Sequence, residues 1–143
     1  MAKESIRSSH FQVEWGGTRI GFSEISGMSM STEIIEYREG ADKEDSYQKI
    51  PGLKRYGNIV LKRGIAAGDN NFYEWFNTIA FGKLERRDII IHLLNPNHEP
   101  VMSWKLRDAF PVKLEIPSLK ADTSEVAIES LEIACEDISV ENE

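Results

Sequence analysis

Apolar and polar positions alternate through much of the chain. Phe11, Val13 and Trp15 alternate with Gln12 and Glu14, Gly16-Gly17 interrupts, and Ile20 and Phe22 resume the pattern. This predicts a β-hairpin. From Met28 the period of two returns, with Met28, Met30, Thr32 and Ile34 on one face and Ser29, Ser31 and Glu33 on the other. The second face is small and polar. Residues 39–56, from Glu39 through Asp42, Lys43, Glu44, Asp45, Tyr47, Lys49, Ile50 and Leu53 to Tyr56, carry both signs of charge without periodicity. They read as a long extended loop, a kind of segment that commonly contacts a partner.

Gly57 to Gly64 reads as a short strand bounded by glycines. A helix follows, with Asp69 as N-cap and an aromatic stripe of Phe72, Trp75, Phe76 and Ile79 at i, i+3, i+4 and i+7, ending near Gly82. Residues 86–94 and 101–109 form two strands joined by the turn Asn95 to Pro100, and Val112, Leu114 and Ile116 alternate with Lys113 and Glu115 in a further strand. Near the C-terminus, Val126 and Ile128, then Leu131, Ile133 and Cys135, fit two strand phases offset by a bulge near Glu129-Ser130. Residues 126–138 fit a helix equally well, and periodicity leaves the choice open. The whole reads as mainly β: an antiparallel barrel or sandwich of six or seven strands with one packed helix. One domain is expected over 1–143, with flexible ends at about 1–9 and 139–143.

One feature of the pattern is unusual for a sheet in water. Ile89, Ile91 and Leu93 point one way while Ile90 and Leu94 point the other, so both faces of that strand need cover. The cover is either an ordinary two-layer core or a neighbouring subunit. With 143 residues, 41% of them hydrophobic, the chain can bury a real core. Its net charge of −7 disfavours binding to a phosphate backbone. The longest apolar run is far shorter than a membrane-spanning helix, and no secretory signal is recognisable at the start, so synthesis in the cytoplasm without membrane insertion is expected. The one cysteine, Cys135, has no intrachain partner and reads as a packed small hydrophobe beside acidic neighbours.

The chain carries no recognisable catalytic or metal-binding motif. His10, His92 and His98 lack the spacing of a helical zinc site, Ser23 lacks the glycines of a nucleophile elbow, and Gly64-Ile-Ala-Ala-Gly-Asp lacks the lysine and hydroxyl of a phosphate loop. No catalytic group, metal or cofactor is expected, and an enzymatic or ligand-binding barrel is the weaker reading.

Residues 49–64 carry the motif Pro51-Gly52-Leu53-x-x-Tyr56-Gly57-Asn58 leading into Leu61-Lys62-Arg63-Gly64. Phe22 to Gly27, Glu36 to Gly40, Phe72-x-x-Trp75 and Val126 to Ala134 add to it, so that the chain from about Phe11 to Ile138 resembles the tube proteins of contractile phage tails and phage-derived contractile injection systems. It is similar also to the hemolysin-coregulated protein of type VI secretion. Cys135 and Asp137 depart from the pattern, where relatives often carry histidine and glycine. The resemblance implies a β-barrel-like subunit that closes into hexameric rings, stacked into a hollow tube inside a contractile sheath, with a baseplate and tube-initiator protein below and cargo in the lumen. A tube-initiator paralogue of the same fold is the near alternative. It also tips 126–138 toward strand. On this reading Asp42, Lys43, Glu44, Asp45, Tyr47, Lys49, Ile50 and Leu53 contact the next ring. Ser29, Ser31 and Glu33, with Lys113 and Glu115, line the lumen.

Overall fold

The computed structural model describes residues 7–16, 21–41, 47–80 and 82–142. Among them run nine strands and one helix: β1 Phe11–Glu14, β2 Glu24–Ser26, β3 Met30–Tyr37, β4 Gln48–Tyr56, β5 Ile59–Gly64, α1 Asn71–Asn77, β6 Arg87–Leu94, β7 Pro100–Glu115, β8 Ile128–Ala134 and β9 Asp137–Asn142. All pairings are antiparallel. Seven strands join in the order β1-β6-β7-β8-β5-β2, with β9 also on β7, and β3 and β4 pair only with each other. The long β7 belongs to two layers. Its first half lies between β6 and β9, while its second half, from Phe110, pairs with β8.

The core fills the space between those layers. Trp15, Ile59, Leu61, Phe72, Trp75, Ile89, Ile91, Leu106, Ala109, Leu131, Ile133 and Ile138 form one buried cluster. Within it, Trp15 meets Phe72 edge-on at 5.2 Å between ring centroids, one of the geometries that aromatic quadrupoles favour. Arg63 is also buried, at 1% exposure. Its guanidinium lies 4.1 Å from the centre of the Phe72 ring. It donates to both Asp69 carboxylate oxygens at 3.1 and 3.2 Å, and through Nε to Glu129 at 2.8 Å. The charge is tolerated inside because carboxylates and an aromatic face replace its water.

Several expectations change. Phe11–Glu14 does not form a hairpin with the segment around Phe22: β1 pairs with β6, and β2 lies at the far end of the strand order on β5. Ile20 lies outside the described residues. The span 39–56 is not mostly loop, because Gln48–Tyr56 is strand. Residues 126–138 hold strand, not helix, and β8 runs from Ile128 to Ala134 opposite β5 without a bulge. Glu129 looked like a break in phase but takes an inward position opposite Arg63. Residues 111–115 continue β7 past a bulge between Pro111 and Lys113, and of the expected apolar phase only Leu114 packs on the core, while Val112 and Ile116, the latter just beyond the strand, stay exposed. The end expected to be flexible, from 139, is in strand β9 as far as Asn142.

The helix ends at Asn77, two residues short of its stripe. Phe72 and Trp75 are buried and Phe76 half-buried, but Ile79 lies beyond the last turn and is 45% exposed. The N-cap is Asn70, one residue later than expected, yet the Asp69 carboxylate accepts the Asn71 backbone N–H at 3.1 Å. Trp75 is anchored by its indole N–H, which donates to the Glu85 carbonyl at 2.8 Å.

Candidate functional site

Residues directly opposite each other in a sheet share a face, so the register defines the surface outside the core. One row across β2, β5, β8 and β7 is Glu24, Lys62, Ser130 and Glu115; the next is Ser26, Val60, Glu132 and Lys113. The row between them, Ile25, Leu61, Leu131 and Leu114, turns inward to the core. The sheet thus has one apolar face and one face of small and charged groups. Lys62 pairs with Glu24 at 3.1 Å, and Asn58 donates to Glu132 at 3.3 Å. Both edges are open: among the described residues, β2 pairs only with β5, and residues 110–115 pair only with β8. An open edge presents unpaired backbone donors and acceptors, a template for another chain.

Beyond this sheet stands a ribbon. The pairs β2–β5 and β3–β4 are the inner and outer parts of one long hairpin, broken at Gly27 and Gly57. Gly27 has φ +89°, and a Cβ there would lie 2.4 Å from the Asn58 carbonyl oxygen. A Cβ at Gly57 would lie 2.3 Å from the Ser29 hydroxyl. At Gly27 only glycine permits the two backbones to pass this closely. Tyr56 holds the root by packing on the core, and its phenol is raised above the ordinary value by a hydrogen bond to Asp137 and by burial.

The nine residues of β4 reach about 30 Å at a strand's rise. Met30, Ile34, Ile35, Tyr37, Tyr47, Ile50 and Leu53 are all exposed on or beside the ribbon, with Leu53 at 75%. Arg55 pairs with Glu33 across the two strands. A bulge between Thr32 and Ile34 accommodates Pro51, which lacks a donor for the ladder.

The positions expected to line a lumen therefore fall in two places. Lys113 and Glu115 are on the polar face of the sheet, whereas Ser29 sits at the ribbon's root and Ser31 and Glu33 lie on the ribbon itself. Of the positions expected to stack rings, Tyr47, Lys49, Ile50 and Leu53 are exposed on or next to β4, and Asp42, Lys43, Glu44 and Asp45 lie outside the described residues. The sequence alone does not gather Glu24, Ser26, Lys62, Ser130 and Glu132 onto one face. The signal was there in the period of two over 58–62 and 130–133, once those strands are known to be neighbours.

One arrangement imitates a catalytic triad. His92 Nδ1 lies 2.6 Å from Ser103 Oγ, and Nε2 lies 3.8 Å from Glu14. Ser103 is 2% exposed, so no substrate carbonyl can reach its oxygen. The pair is a cross-strand contact at directly opposed positions of β6 and β7. Among the described residues no group of three or more His, Cys, Asp or Glu is placed to hold a metal. No described helix is long and apolar enough to cross a membrane.

Two open edges, a polar sheet face and a projecting apolar ribbon define a structural protein built to associate. The chain belongs to the T4-like virus tail tube protein gp19 family, whose model matches residues 7–139. A chain in the sheath-tube complex of the extracellular contractile injection system PVC, in its extended state, is 30% identical, with a TM-score of 0.87 over 96% of this chain and 92% of that one. A chain in the sixfold-symmetrised baseplate of the anti-feeding prophage is 25% identical, with a TM-score of 0.85 over 99% and 98%. Hcp1 from Flavobacterium johnsoniae shares the fold at 15% identity, with a TM-score of 0.63 over 94% and 96%. No curated protein sequence matches. The chain is thus a tail-tube protein of the contractile-injection kind, a structural component and not an enzyme.

Proposed function

We propose that the protein is the repeating subunit of an inner tube, in which six copies close into a ring and rings stack along an axis. The observation that carries this reading is the sheet with two open edges and one polar face. Joining β2 of one copy to the second half of β7 in the next satisfies both edges and continues the sheet around a ring. The polar face, with Lys113 and Glu115 on it, then turns to the lumen, where side chains of this type do not hold passing cargo by burying its apolar surface. Ser29, Ser31 and Glu33 extend this lining toward the next ring. The ribbon, with Tyr47, Lys49, Ile50 and Leu53, makes the contact between rings, and Asp42, Lys43, Glu44 and Asp45 are assigned to the same contact. A sheath protein surrounds the tube and a baseplate with a tube initiator starts it; the sheath-tube complex and the baseplate that contain the similar chains support the sheath and the baseplate.

Native mass spectrometry and electron microscopy of the purified protein test the reading. Sixfold rings that lengthen into tubes are expected. A protein that stays monomeric at high concentration and moderate salt overturns it. The likeness to a chain in a baseplate favours a second reading, an initiator of the same fold. That reading predicts single rings that never lengthen without a second protein.

A further inference from the structure

The ribbon is a cantilever. Among the described residues β3 and β4 pair only with each other, and the large apolar side chains along them are exposed. A two-stranded ribbon without a covered face is at best marginally stable alone, so its direction has to be set at its root. The leverage there is large. A rotation of about 20° at the root carries the far end of a strand about 30 Å long through about 10 Å.

The two strands pass each other at the root through Gly27 and Gly57, residues with the widest backbone freedom. The Gly57 N–H donates to the Ser29 carbonyl at 3.1 Å, which ties the strands to one another but not to the sheet. The hold on the sheet comes from the two residues that flank Gly57. Tyr56 packs its ring on the core and donates its phenol O–H to the Asp137 carboxylate. Asn58 donates to Glu132 at 3.3 Å. Glu132 in β8 and Asp137, the first residue of β9, stand on either side of the corner where one sheet passes into the other, so both links end on the same packed part of the fold. They are unequal. The Asn58 bond is exposed and water competes for it, whereas the Tyr56 side is half-buried and Arg107 stands directly opposite Asp137.

We propose that Asp137 is a positioning residue for the ribbon: by accepting the Tyr56 phenol O–H it latches the hinge at Gly27 and Gly57, so that the ribbon stands at one angle in the free chain before any partner is met. A hydrogen bond to a charged group favours the latched arrangement about 10-fold or more. A partner that recognises the ribbon at this angle then finds nearly every chain competent, while an unheld ribbon lowers the apparent affinity by the fraction populated. The latch belongs to the free chain and does not depend on tube assembly.

Distances measured by pulsed electron paramagnetic resonance on unassembled protein test the latch. Spin labels are attached through Leu53→Cys on the ribbon and Glu115→Cys on the sheet, in a Cys135→Ala background that puts no new hydroxyl beside Asp137. One narrow distance distribution is expected. Tyr56→Phe, which keeps the ring on the core and loses only the donor, should broaden it while circular dichroism shows the sheet unchanged, and Asp137→Ala should do the same. A distribution already broad in the parent, or as narrow in Tyr56→Phe as in the parent, overturns the latch. In Asp137→Asn the Tyr56 phenol, followed by nuclear magnetic resonance, should ionise at lower pH, because the carboxylate that held its proton is gone. An unchanged titration overturns the bond itself. In assembly, Tyr56→Phe should build tubes about 10-fold more slowly than the parent at equal concentration and catch up when the concentration is raised. Unchanged or faster growth overturns the pre-organisation. A parent that builds no tubes at all sinks the tube reading instead, and the distance distributions still decide the latch.

Discussion

Arg63 shows how much of this fold one side chain can organise. It joins the start of the helix, through Asp69, to β8, through Glu129, and covers the Phe72 ring. Arg63→Ala leaves the Asp69 carboxylate buried without its counter-charge and should cost about 3–5 kcal/mol, read by chemical denaturation. Arg63→Lys should restore little of it, since a single ammonium cannot reproduce the fork that holds Asp69 and Glu129 together. Two other groups give the protein a pH dependence. Burial, then the nearby Asp137 carboxylate, raises the Cys135 thiol above its ordinary 9.0, and Tyr56 is raised above 10.0. Both hold their protons more tightly folded than unfolded, so the unfolded chain releases them first. Stability is therefore full below pH 9 and should decline as pH rises through 9 and 10. Denaturation midpoints between pH 7 and 10.5 measure this, and Cys135→Ser with Tyr56→Phe should flatten the decline. A midpoint that rises across that range contradicts the sign.

At the scale of elements, the helix separates what the stripe promised from what packing delivers. Trp75→Ala should cost about 3–5 kcal/mol, because the indole is fully buried and its N–H holds the Glu85 carbonyl. Ile79→Ala should stay within about 0.5 kcal/mol, since that residue has left the helix and faces solvent. Thermal melts of the two variants make the comparison. The same contrast explains what the chain made legible. The strands β5 and β6, the hairpin of β6 with β7, and the helix were readable because each buries one face or a stripe, which imposes a period on the sequence. Of the ribbon, β3 was readable from Met28 to Ile34, but β4 was not, because among the described residues nothing covers either of its faces. Lys49, Ile50, Pro51 and Leu53 are all exposed in β4, and a strand without a buried face has no reason to alternate. The partner of β1 was equally hidden, since pairing across some 80 residues leaves no local trace. Glu129 misled for the opposite reason: its inward position is set by Arg63, a residue 66 positions away. The candidate lumen face was legible only in pieces, Lys113 and Glu115, until the register brought β2, β5 and β8 beside them. The glycine-rich motif gains a cause from the hinge: Gly27→Ala should misdirect the ribbon and lower tube yield while the sheet below it remains folded, as circular dichroism and electron microscopy would record.

For the whole molecule, the strongest test concerns which surface faces the channel. The polar face carries Glu24, Glu115 and Glu132 against Lys62 and Lys113, so the proposed sixfold ring would multiply a small negative excess within a confined space. Ser26 lies on this face and is exposed in the single chain. In a Cys135→Ser background, a cysteine introduced by Ser26→Cys should react with small and bulky maleimides alike while the chain is monomeric. Assembly into tubes should abolish the reaction with a polymer-linked maleimide that cannot enter the lumen, and keep the reaction with a small one. Among small reagents, a cationic thiosulfonate should react faster than an anionic one in tubes. Raising the salt should close that gap, because screening shortens the reach of the fixed charges to a few ångströms. Ser31→Cys, on the ribbon, extends the test to the second part of the proposed lining. If the bulky reagent labels Ser26→Cys equally in tubes and monomers, the polar face looks outward toward the sheath and the lumen assignment is wrong. If neither reagent reacts in tubes, the face is buried between subunits, and the sheet closes on its neighbour by stacking faces instead of joining edges.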